Sequence, residues 1–177
     1  RGLGDVYKRQ IFVYCKFCMR MLDELLQGVE VRSLVGDGTV AVGRLEFDSR
    51  KVVPGTLFFA TRGTQADGHA YIPAAVAAGA AAVVCEELPA ERPVGVTFVQ
   101  VPDSTVALGQ VASAFYGHPS RRLKLVGVTG TNGKTTTATL LYRMFRRLGY
   151  KAGLISTVVY CVDEREIPST HTTPDSI

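Results

Sequence analysis

Apolar and polar positions alternate along this chain in two different periods. Short apolar runs rich in β-branched residues are typical of strands, and they occupy residues 39–47, 57–60, 81–85, 97–101, 125–129 and 152–157. Apolar side chains at helical spacing lie between these runs, in residues 71–78, 104–116 and 135–148. Strands and helices that alternate in this way predict an α/β fold from residue 21 onward.

The two longer helices each carry a predicted apolar face. The earlier one can be capped by Asp103 or Ser104 and ends at Gly117, and the later one ends at Gly149. The face of the earlier helix comprises Val106, Leu108, Val111, Ala112 and Phe115. The face of the later helix comprises Leu140, Leu141, Met144, Phe145 and Leu148. We expect both faces to be buried.

A polar stretch divides the chain. Residues 118–122 read His-Pro-Ser-Arg-Arg, and proline is incompatible with a helix interior. We therefore predict one domain over residues 21–120 and a second domain that begins at residue 123. Residues 123–177 contain only a strand, a glycine loop, a helix and a strand, so we expect a truncated α/β domain.

The first twenty residues differ from the rest in charge. They hold five basic residues and one acidic residue, whereas the remaining 157 residues carry 15 of each. This leader lacks regular periodicity, and its apolar stretch 11–19 is too short for a membrane span and precedes no cleavage site. We interpret residues 1–20 as non-native rather than as a secretory signal, and expect no contribution to the fold. The neutral body argues against nucleic-acid binding.

The cysteines and histidines give no sign of metal or redox chemistry. Residues 15–18 form a Cys-x-x-Cys pair, but Cys85 and Cys161 stand alone in strand-like stretches, so a four-ligand zinc site is not indicated. Unpaired cysteines fit a reducing cytoplasm. We expect His69 and His118 to be structural, without an acid, base or metal partner.

A glycine-rich loop between a predicted strand and a predicted helix is the most informative segment. Glycines let backbone N–H groups converge on an anion, and the amino terminus of the next helix adds partial positive charge. The residues predicted to bind the phosphates of ATP or GTP are Gly130, Thr131, Asn132, Gly133, Lys134, Thr135 and Thr136. Lys134 can reach the β- and γ-phosphates, and the Thr135 hydroxyl can serve as a metal ligand to Mg²⁺.

The loop departs from the general phosphate-loop pattern at one position. That pattern, Gly-x-x-x-x-Gly-Lys-Ser/Thr, has glycine where this chain has Val128. A glycine-rich turn with a solvated Lys134 is the alternative interpretation. Strand, glycines, Gly-Lys-Thr and helix occur together here, which favours nucleotide binding.

Three motifs in order resemble the Mur ligase family, the enzymes that add amino acids to the peptidoglycan precursor. Residues 129–137 (Thr-Gly-Thr-Asn-Gly-Lys-Thr-Thr-Thr) resemble its ATP loop; the related folylpolyglutamate synthetases usually have Gly-Lys-Gly-Ser there. Residues 47–60, which open Phe-Asp-Ser-Arg, and residues 63–69 resemble its uridine-nucleotide domain. Residues 170–175 (Thr-His-Thr-Thr-Pro-Asp) resemble a substrate loop. The resemblance implies a small amino-terminal α/β uridine-nucleotide domain and the truncated start of a P-loop α/β central domain.

The resemblance also implies the substrates. The acceptor would be UDP-N-acetylmuramoyl-L-alanyl-D-glutamate, and meso-diaminopimelate or L-lysine would be joined to its D-glutamate γ-carboxylate through an acyl phosphate, with ATP and Mg²⁺. The residues implied at the uridine end are Phe47, Ser49, Arg50, Thr64, Gln65 and Ala66, and those at the muramoyl-peptide part are His171, Thr172 and Thr173. Ser49 can exchange hydrogen bonds with a uracil edge, and Arg50 can donate to an oxygen or stack on the base. Without the resemblance, this segment would be an ordinary polar turn.

By the same resemblance, Lys134 and Thr135 would be catalytic residues. We expect a cytoplasmic monomer with no membrane or nucleic-acid partner. The remaining catalytic groups would lie beyond residue 177, so this chain alone would be inactive. Two alternatives stay open. One is another Mur ligase, MurF, whose loop more usually reads Gly-Ser-Asn-Gly-Lys. The other is a non-catalytic module that binds a uridine nucleotide and keeps a vestigial phosphate loop.

Overall fold

A computed structural model describes residues 19–63, 67–162 and 165–168 of the chain. Its internal contacts separate two compact units, unit 1 (Arg1–Arg121) and unit 2 (Arg122–Ser176). The division lies within residues 118–122, the stretch in which the sequence predicts a domain boundary.

Unit 1 is organised around a five-stranded sheet. Its described strands are β1 (Arg20–Met21), β2 (Ser33–Val35), β3 (Ala41–Val42), β4 (Arg44–Glu46), β5 (Thr56–Phe59), β6 (Ala80–Cys85) and β7 (Thr97–Gln100). The sheet has the order β2-β7-β6-β5-β4. Strands β4 to β7 are parallel neighbours, and β2 pairs antiparallel with β7 at the edge.

Three helices accompany these strands: α1 (Leu22–Leu25), α2 (Ile72–Ala77) and α3 (Ser104–Phe115). Asp103 caps α3, because its Oδ1 accepts the backbone N–H groups of Thr105 and Val106 at 2.8 and 2.9 Å. One turn of 3-10 helix, Gly68–Tyr71, precedes α2, so the predicted helix over residues 71–78 begins differently from expectation. Strands and helices alternate as the sequence predicts, and the α/β fold class is confirmed.

The helices cover both faces of the parallel sheet. Alternate residues of each strand belong to opposite cores: Leu57 and Phe59 of β5 pack with α1 and α3, whereas Phe58 packs with α2. Parallel strands buried on both faces are apolar at nearly every position, which is why the sequence shows short continuous apolar runs. Val106 is an exception to the predicted face of α3, because its side chain points outward and is exposed.

The predicted strand over residues 39–47 is two strands with different partners. Strand β3 pairs antiparallel with β1, and β4 pairs parallel with β5. Between them, the N–H of Gly43 donates to the carbonyl of Gly55 at 3.0 Å, where the chain passes from one partner to the other. Because Arg20 pairs with Val42 in this small sheet, the last residue of the predicted leader does contribute to the fold. Residues 1–18 lie outside the described residues.

Unit 2 contains helix α4 (Lys134–Arg147) and the strands β8 (Gly153–Ile155), β9 (Val159–Val162) and β10 (Arg165–Pro168). The three strands form an antiparallel sheet of order β10-β9-β8. No helix among the described residues of either unit combines the length and apolar character needed to cross a bilayer.

Two predictions are wrong for the described part of unit 2. Residues 125–129 form no strand, because no described strand pairs with them. Helix α4 has no buried side chain, and its predicted apolar face is exposed at Leu140, Met144, Phe145 and Leu148 and half-buried at Leu141. A strand requires a neighbouring strand and an apolar helix face requires a second layer. The described residues of unit 2 supply no strand partner to residues 125–129. They cover α4 only in part, because β8 lies against the helix while most of its apolar face stays exposed.

The two valines of α3 provide a test of the core. Val111 is fully buried whereas Val106 is 55% exposed. We expect Val111→Ala to lower the free energy of unfolding by about 2 kcal/mol, because it removes two buried methyl groups and leaves a cavity. Val106→Ala, the matched control, should change it by less than about 0.5 kcal/mol. Urea unfolding measures both, and equal effects would contradict this packing.

Candidate functional site

The described candidate residues of unit 1 lie at the carboxyl edge of the parallel sheet. Phe47, Ser49 and Arg50 follow β4 directly, and the turn that begins at Ala60 follows β5, its parallel neighbour. In open α/β sheets, ligands bind outside the carboxyl ends of the strands. This edge is therefore the candidate binding site of unit 1.

The turn after β4 is one turn of 3-10 helix, Ser49–Lys51, capped by Asp48. Oδ1 of Asp48 accepts the backbone N–H of Arg50 at 3.1 Å. The same carboxylate accepts Nε of Arg50 on Oδ1 and Nη2 on Oδ2, both at 2.9 Å. The hydrogen bond from the Arg50 side chain holds the pKa of Asp48 below its ordinary value, so the carboxylate is ionised at neutral pH. Phe47 and Ser49 are half-buried beside this pair.

Glu86, the first residue after β6, joins several elements at this edge. Its Oε1 accepts the backbone N–H and the hydroxyl of Ser104, the first residue of α3, at 3.1 and 2.8 Å. Its Oε2 lies 3.3 Å from Nε of Arg62, and its carbonyl accepts Nε2 of Gln100 at 3.0 Å. The hydrogen bond from the Ser104 N–H holds the pKa of Glu86 below its ordinary value.

His69 links the turn after β5 to the turn after β6. Its Nδ1 lies 2.6 Å from Oδ1 of Asp67, and its Nε2 accepts the backbone N–H groups of Glu86 and Glu87 at 2.9 and 3.3 Å. A ring nitrogen that accepts amide hydrogens carries no proton, so the ring proton lies on Nδ1 and is donated to Asp67. The expectation that His69 has no acid partner is wrong, because the 3-10 turn brings the two side chains together.

The turn after β5 closes at a glycine. The N–H of Gly68 donates to the carbonyl of Thr61 at 2.8 Å. A Cβ at Gly68 would lie 2.6 Å from that oxygen and 2.7 Å from the Thr61 nitrogen. Because both neighbours are backbone atoms, the turn requires glycine at this position. Arg62 and Asp67 pair as an antiparallel bridge beside it, and Nη2 of Arg62 lies 2.5 Å from Oε1 of Glu87.

Sequence reasoning missed this polar network of Arg62, Asp67, His69 and Glu86. Two signals could have found it. Asp67 and His69 stand two residues apart around a glycine, a spacing that suits a capped turn. Glu86 follows a buried strand directly, at the sheet edge where polar side chains collect.

The other site residues predicted for substrate binding lie outside the described residues. They are Thr64, Gln65, Ala66, His171, Thr172 and Thr173. The same is true of Cys15 and Cys18. Of the two described cysteines, Cys85 and Cys161 are both buried, and burial raises the pKa of Cys85 to about 11. Its thiol is therefore protonated at neutral pH.

The glycine loop of unit 2 leads directly into α4. Gly133 precedes the helix with a φ of 77°, a left-handed conformation that favours glycine. Gly133, at the N-cap position, has no side chain that could accept the first N–H groups of the helix, those of Lys134, Thr135 and Thr136, and such groups can bind an anion. The helix dipole adds positive charge at the same point.

Lys134 folds back over this loop. Its Nζ lies 2.5 Å from the carbonyl of Gly130 and 3.2 Å from that of Thr131. The ammonium group is therefore held beside the amino terminus of α4. Thr135 is half-buried in the first turn, and Thr131 and Asn132 are exposed on the loop. The structure thus brings the predicted phosphate-binding residues together.

A parallel sheet with polar turns at its carboxyl edge and a separate glycine loop before a helix define an α/β protein with two candidate binding sites. Two family models match the chain: "Mur ligase family, catalytic domain" matches residues 42–116, and "Mur ligase middle domain" matches residues 128–177. The chain belongs to the Mur ligase family, and the resemblance inferred from the motifs is confirmed.

Similar proteins of known name are UDP-N-acetylmuramoyl-L-alanyl-D-glutamate–2,6-diaminopimelate ligases. The Bacteroides fragilis enzyme is 56% identical over 156 residues, which cover 88% of this chain and 32% of that protein. The Bacteroides thetaiotaomicron enzyme is 54% identical over 157 residues, 89% of this chain and 33% of that protein. The chain therefore spans about a third of the length of the curated relatives it matches.

Solved structures support the fold. A structure of a UDP-N-acetylmuramoyl-L-alanyl-D-glutamate–2,6-diaminopimelate ligase superposes with a TM-score of 0.64 at 22% identity and covers 90% of this chain and 31% of that one. MurF from Acinetobacter baumannii gives a TM-score of 0.56 at 26% identity and covers 74% of this chain and 28% of that one.

The depressed pKa of Glu86 has a consequence for stability. The ordinary value is 4.5, so on acidification the unfolded chain takes up the proton first. The stability that ionised Glu86 contributes is therefore complete above about pH 4.5 and is lost as the pH falls through the lower folded-state pKa. We expect Glu86→Gln to cost about 1 to 2 kcal/mol at neutral pH, and the difference from wild type to shrink in acid.

Thermal midpoints measured by circular dichroism between about pH 3 and 7 test this expectation. Glu91→Gln, at an exposed glutamate, is the matched control and should follow the wild type throughout. A midpoint difference for Glu86→Gln that stays constant with pH would contradict the role of the charge.

Proposed function

We propose that the protein carrying this chain is an ATP-dependent ligase of peptidoglycan precursor synthesis. It would join meso-diaminopimelate, or L-lysine, to the D-glutamate γ-carboxylate of UDP-N-acetylmuramoyl-L-alanyl-D-glutamate. The glycine-led amino terminus of α4 with Lys134 beside it carries the proposal, because it supplies the donors and the charge that phosphoryl transfer needs. The name shared by the relatives at 51–56% identity supports the acceptor and favours diaminopimelate.

The residues of the phosphate loop have separate proposed roles. The backbone N–H groups around Gly130 and Gly133 would hold the polyphosphate of ATP, and Lys134 would leave the loop carbonyls to neutralise charge on the transferring group. The substrate carboxylate would take the γ-phosphoryl group of ATP to give an acyl phosphate and ADP. The incoming amine would then displace phosphate and lose a proton to form the amide. The protein's contribution is positioning and electrostatic stabilisation.

Thr135 is the proposed ligand for Mg²⁺. Hard divalent cations take oxygen ligands, and the Thr135 hydroxyl lies in the first turn of α4, where it suits this use. Bound Mg²⁺ would supply neutralisation of phosphate charge. Thr135 would fix the position of the bound Mg²⁺ relative to Lys134, its neighbour in the chain.

The carboxyl edge of unit 1 is the proposed uridine end of the substrate site. Phe47, Ser49 and Arg50 would contact the uridine, with Thr64, Gln65 and Ala66 as further contacts, and His171, Thr172 and Thr173 would hold the muramoyl-peptide part. We further propose that residues 21–120 and 123–177 belong to separate domains of a cytoplasmic, monomeric enzyme. The division between units 1 and 2 supports the boundary.

MurF is the second candidate, since structures of MurF superpose on the chain. The much higher identity to the diaminopimelate ligases makes MurF the less supported reading. A non-catalytic uridine-nucleotide module is the candidate from another class, and turnover of the full-length protein distinguishes it from both ligases.

The first test concerns Lys134. In the full-length protein, Lys134→Ala should lower kcat by about 100-fold or more, because it removes a preorganised positive charge at the transferring phosphoryl group. Phosphate release that depends on both the muramoyl dipeptide and the amino acid measures this. Lys151→Ala, at an exposed lysine of unit 2, is the matched control. A near-normal kcat for Lys134→Ala would remove the phosphate-loop assignment.

The second test uses the 177-residue chain alone. We expect it to bind the UDP-muramoyl dipeptide by calorimetry but to show no ligase turnover. The chain spans about a third of the length of the relatives it matches, so we propose that the groups which position the substrate carboxylate and the amine lie in the rest of the protein. Such positioning is worth roughly 7 to 11 kcal/mol of the barrier. Robust turnover by this chain would contradict the proposal, as would dipeptide binding that survives Ser49→Ala combined with Arg50→Ala.

A further inference from the structure

We propose that Asp48 is a positioning residue that directs Arg50 to the uracil of the substrate rather than to its diphosphate. This inference rests on the proposed function, in which Arg50 contacts the uridine end. It adds a role for Asp48 and specifies which part of the nucleotide the guanidinium meets.

The geometry of the pair fixes the guanidinium plane. Nε and Nη2 of Arg50 each donate to a different oxygen of Asp48, both at 2.9 Å, and two parallel hydrogen bonds permit one orientation of the group. Asp48 is itself held in place, because its Oδ1 also accepts the Arg50 backbone N–H at 3.1 Å. Its side chain is 17% exposed, whereas that of Arg50 is 87% exposed. The backbone of the turn therefore orients the Asp48 carboxylate, and this carboxylate orients the Arg50 guanidinium.

The remaining donors of Arg50 face away from Asp48. A guanidinium has five N–H donors, of which the pair uses one on Nε and one on Nη2. Both hydrogens of Nη1 and the second hydrogen of Nη2 lie along the far edge, and they are free to meet a carbonyl oxygen. The exposed planar face is available for stacking on a ring. Uracil offers both a planar ring and carbonyl oxygens.

The charge of the pair argues against the diphosphate. Hydrogen bonding from Arg50 lowers the pKa of Asp48 and pairing with Asp48 raises that of Arg50, so both are ionised at neutral pH and the pair has no net charge. A diphosphate at Arg50 would lie close to a carboxylate and be repelled by it. A neutral base meets no such repulsion.

Three variants of the 177-residue chain separate these possibilities. Asp48→Asn keeps an oxygen that can cap the turn but removes the charge and the second acceptor. Arg50→Lys keeps the positive charge but removes the planar group. Arg44→Lys is the matched control, because Arg44 also forms an ion pair with a carboxylate two residues away in the sequence, that of Glu46. Arg44 is the first residue of β4, at the end of the strand away from Asp48. Thermal midpoints verify that each variant is folded.

The probes are uridine and uridine diphosphate, with dissociation constants from ligand-observed NMR at two ionic strengths. We expect Arg50→Lys to weaken both probes by the same factor, about tenfold, without changing the salt dependence of the diphosphate. Asp48→Asn should weaken both by several-fold, and Arg44→Lys should affect neither. Should Asp48→Asn fail to fold, the ratio of the two factors for Arg50→Lys still decides between base and diphosphate.

Three results would overturn the proposal. Loss of uridine diphosphate binding with unchanged uridine binding in Arg50→Lys would assign the guanidinium to the phosphates. Tighter binding of uridine diphosphate by Asp48→Asn would show that Asp48 only repels the diphosphate. Unchanged binding of both probes by Asp48→Asn would remove its positioning role. If the wild-type chain binds neither probe, the proposed function itself fails, which is a different result from binding that the variants leave unchanged.

Discussion

The side-by-side pairing of β4, β5, β6 and β7 as parallel strands is the constraint on which the rest of unit 1 depends. Parallel neighbours cannot be joined by hairpins, so the chain returns across a face of the sheet after each strand. Helices α1 and α3 cover one face and α2 covers the other. The turns that leave the parallel strands therefore lie together at the carboxyl edge, where each of these strands ends.

This arrangement explains why so many charged groups meet at that edge. Glu86 caps α3 through Ser104 while it pairs with Arg62, and His69 satisfies the amides that follow β6. Each backbone N–H at the edge of a buried sheet needs an acceptor, and these side chains supply several of them. The network therefore gives the edge a fixed shape before any ligand arrives, which reduces the ordering that binding would otherwise require.

The sequence predicts the parts of the fold that depend on local pattern. The apolar runs of β5, β6 and β7, the Asp103 cap of α3 and the loop before Lys134 follow from periodicity and capping chemistry, which act over a few residues. It does not predict the break between β3 and β4, because Gly43 bonds to Gly55 and this contact lies outside any short window. Nor does it predict the exposure of Leu140 and Leu148, since burial of an apolar face depends on a second layer.

The candidate site likewise has a part that the local sequence predicts and a part that depends on contacts between distant residues. Lys134 and Gly133 are identifiable from spacing, because a phosphate loop is a local structure. The polar network is not, since His69 and Glu86 meet only after β5 and β6 have paired. Family resemblance gives Arg50 a role but says nothing of Asp48, whose contribution is visible only in the geometry of the pair.

The glycine at the turn after β5 has a consequence for how this protein can vary. Every missense change in a glycine codon adds a Cβ, and at Gly68 that atom would strike the backbone of Thr61 whatever the rest of the side chain. A second substitution at position 61 would not relieve the clash, because the atoms that a Cβ would strike belong to the backbone, which every amino acid has. Gly127, by contrast, has open space where a Cβ would lie. Two glycine codons of this gene thus differ in mutational tolerance, and we expect codon 68 to accept no missense change without a shift of the backbone.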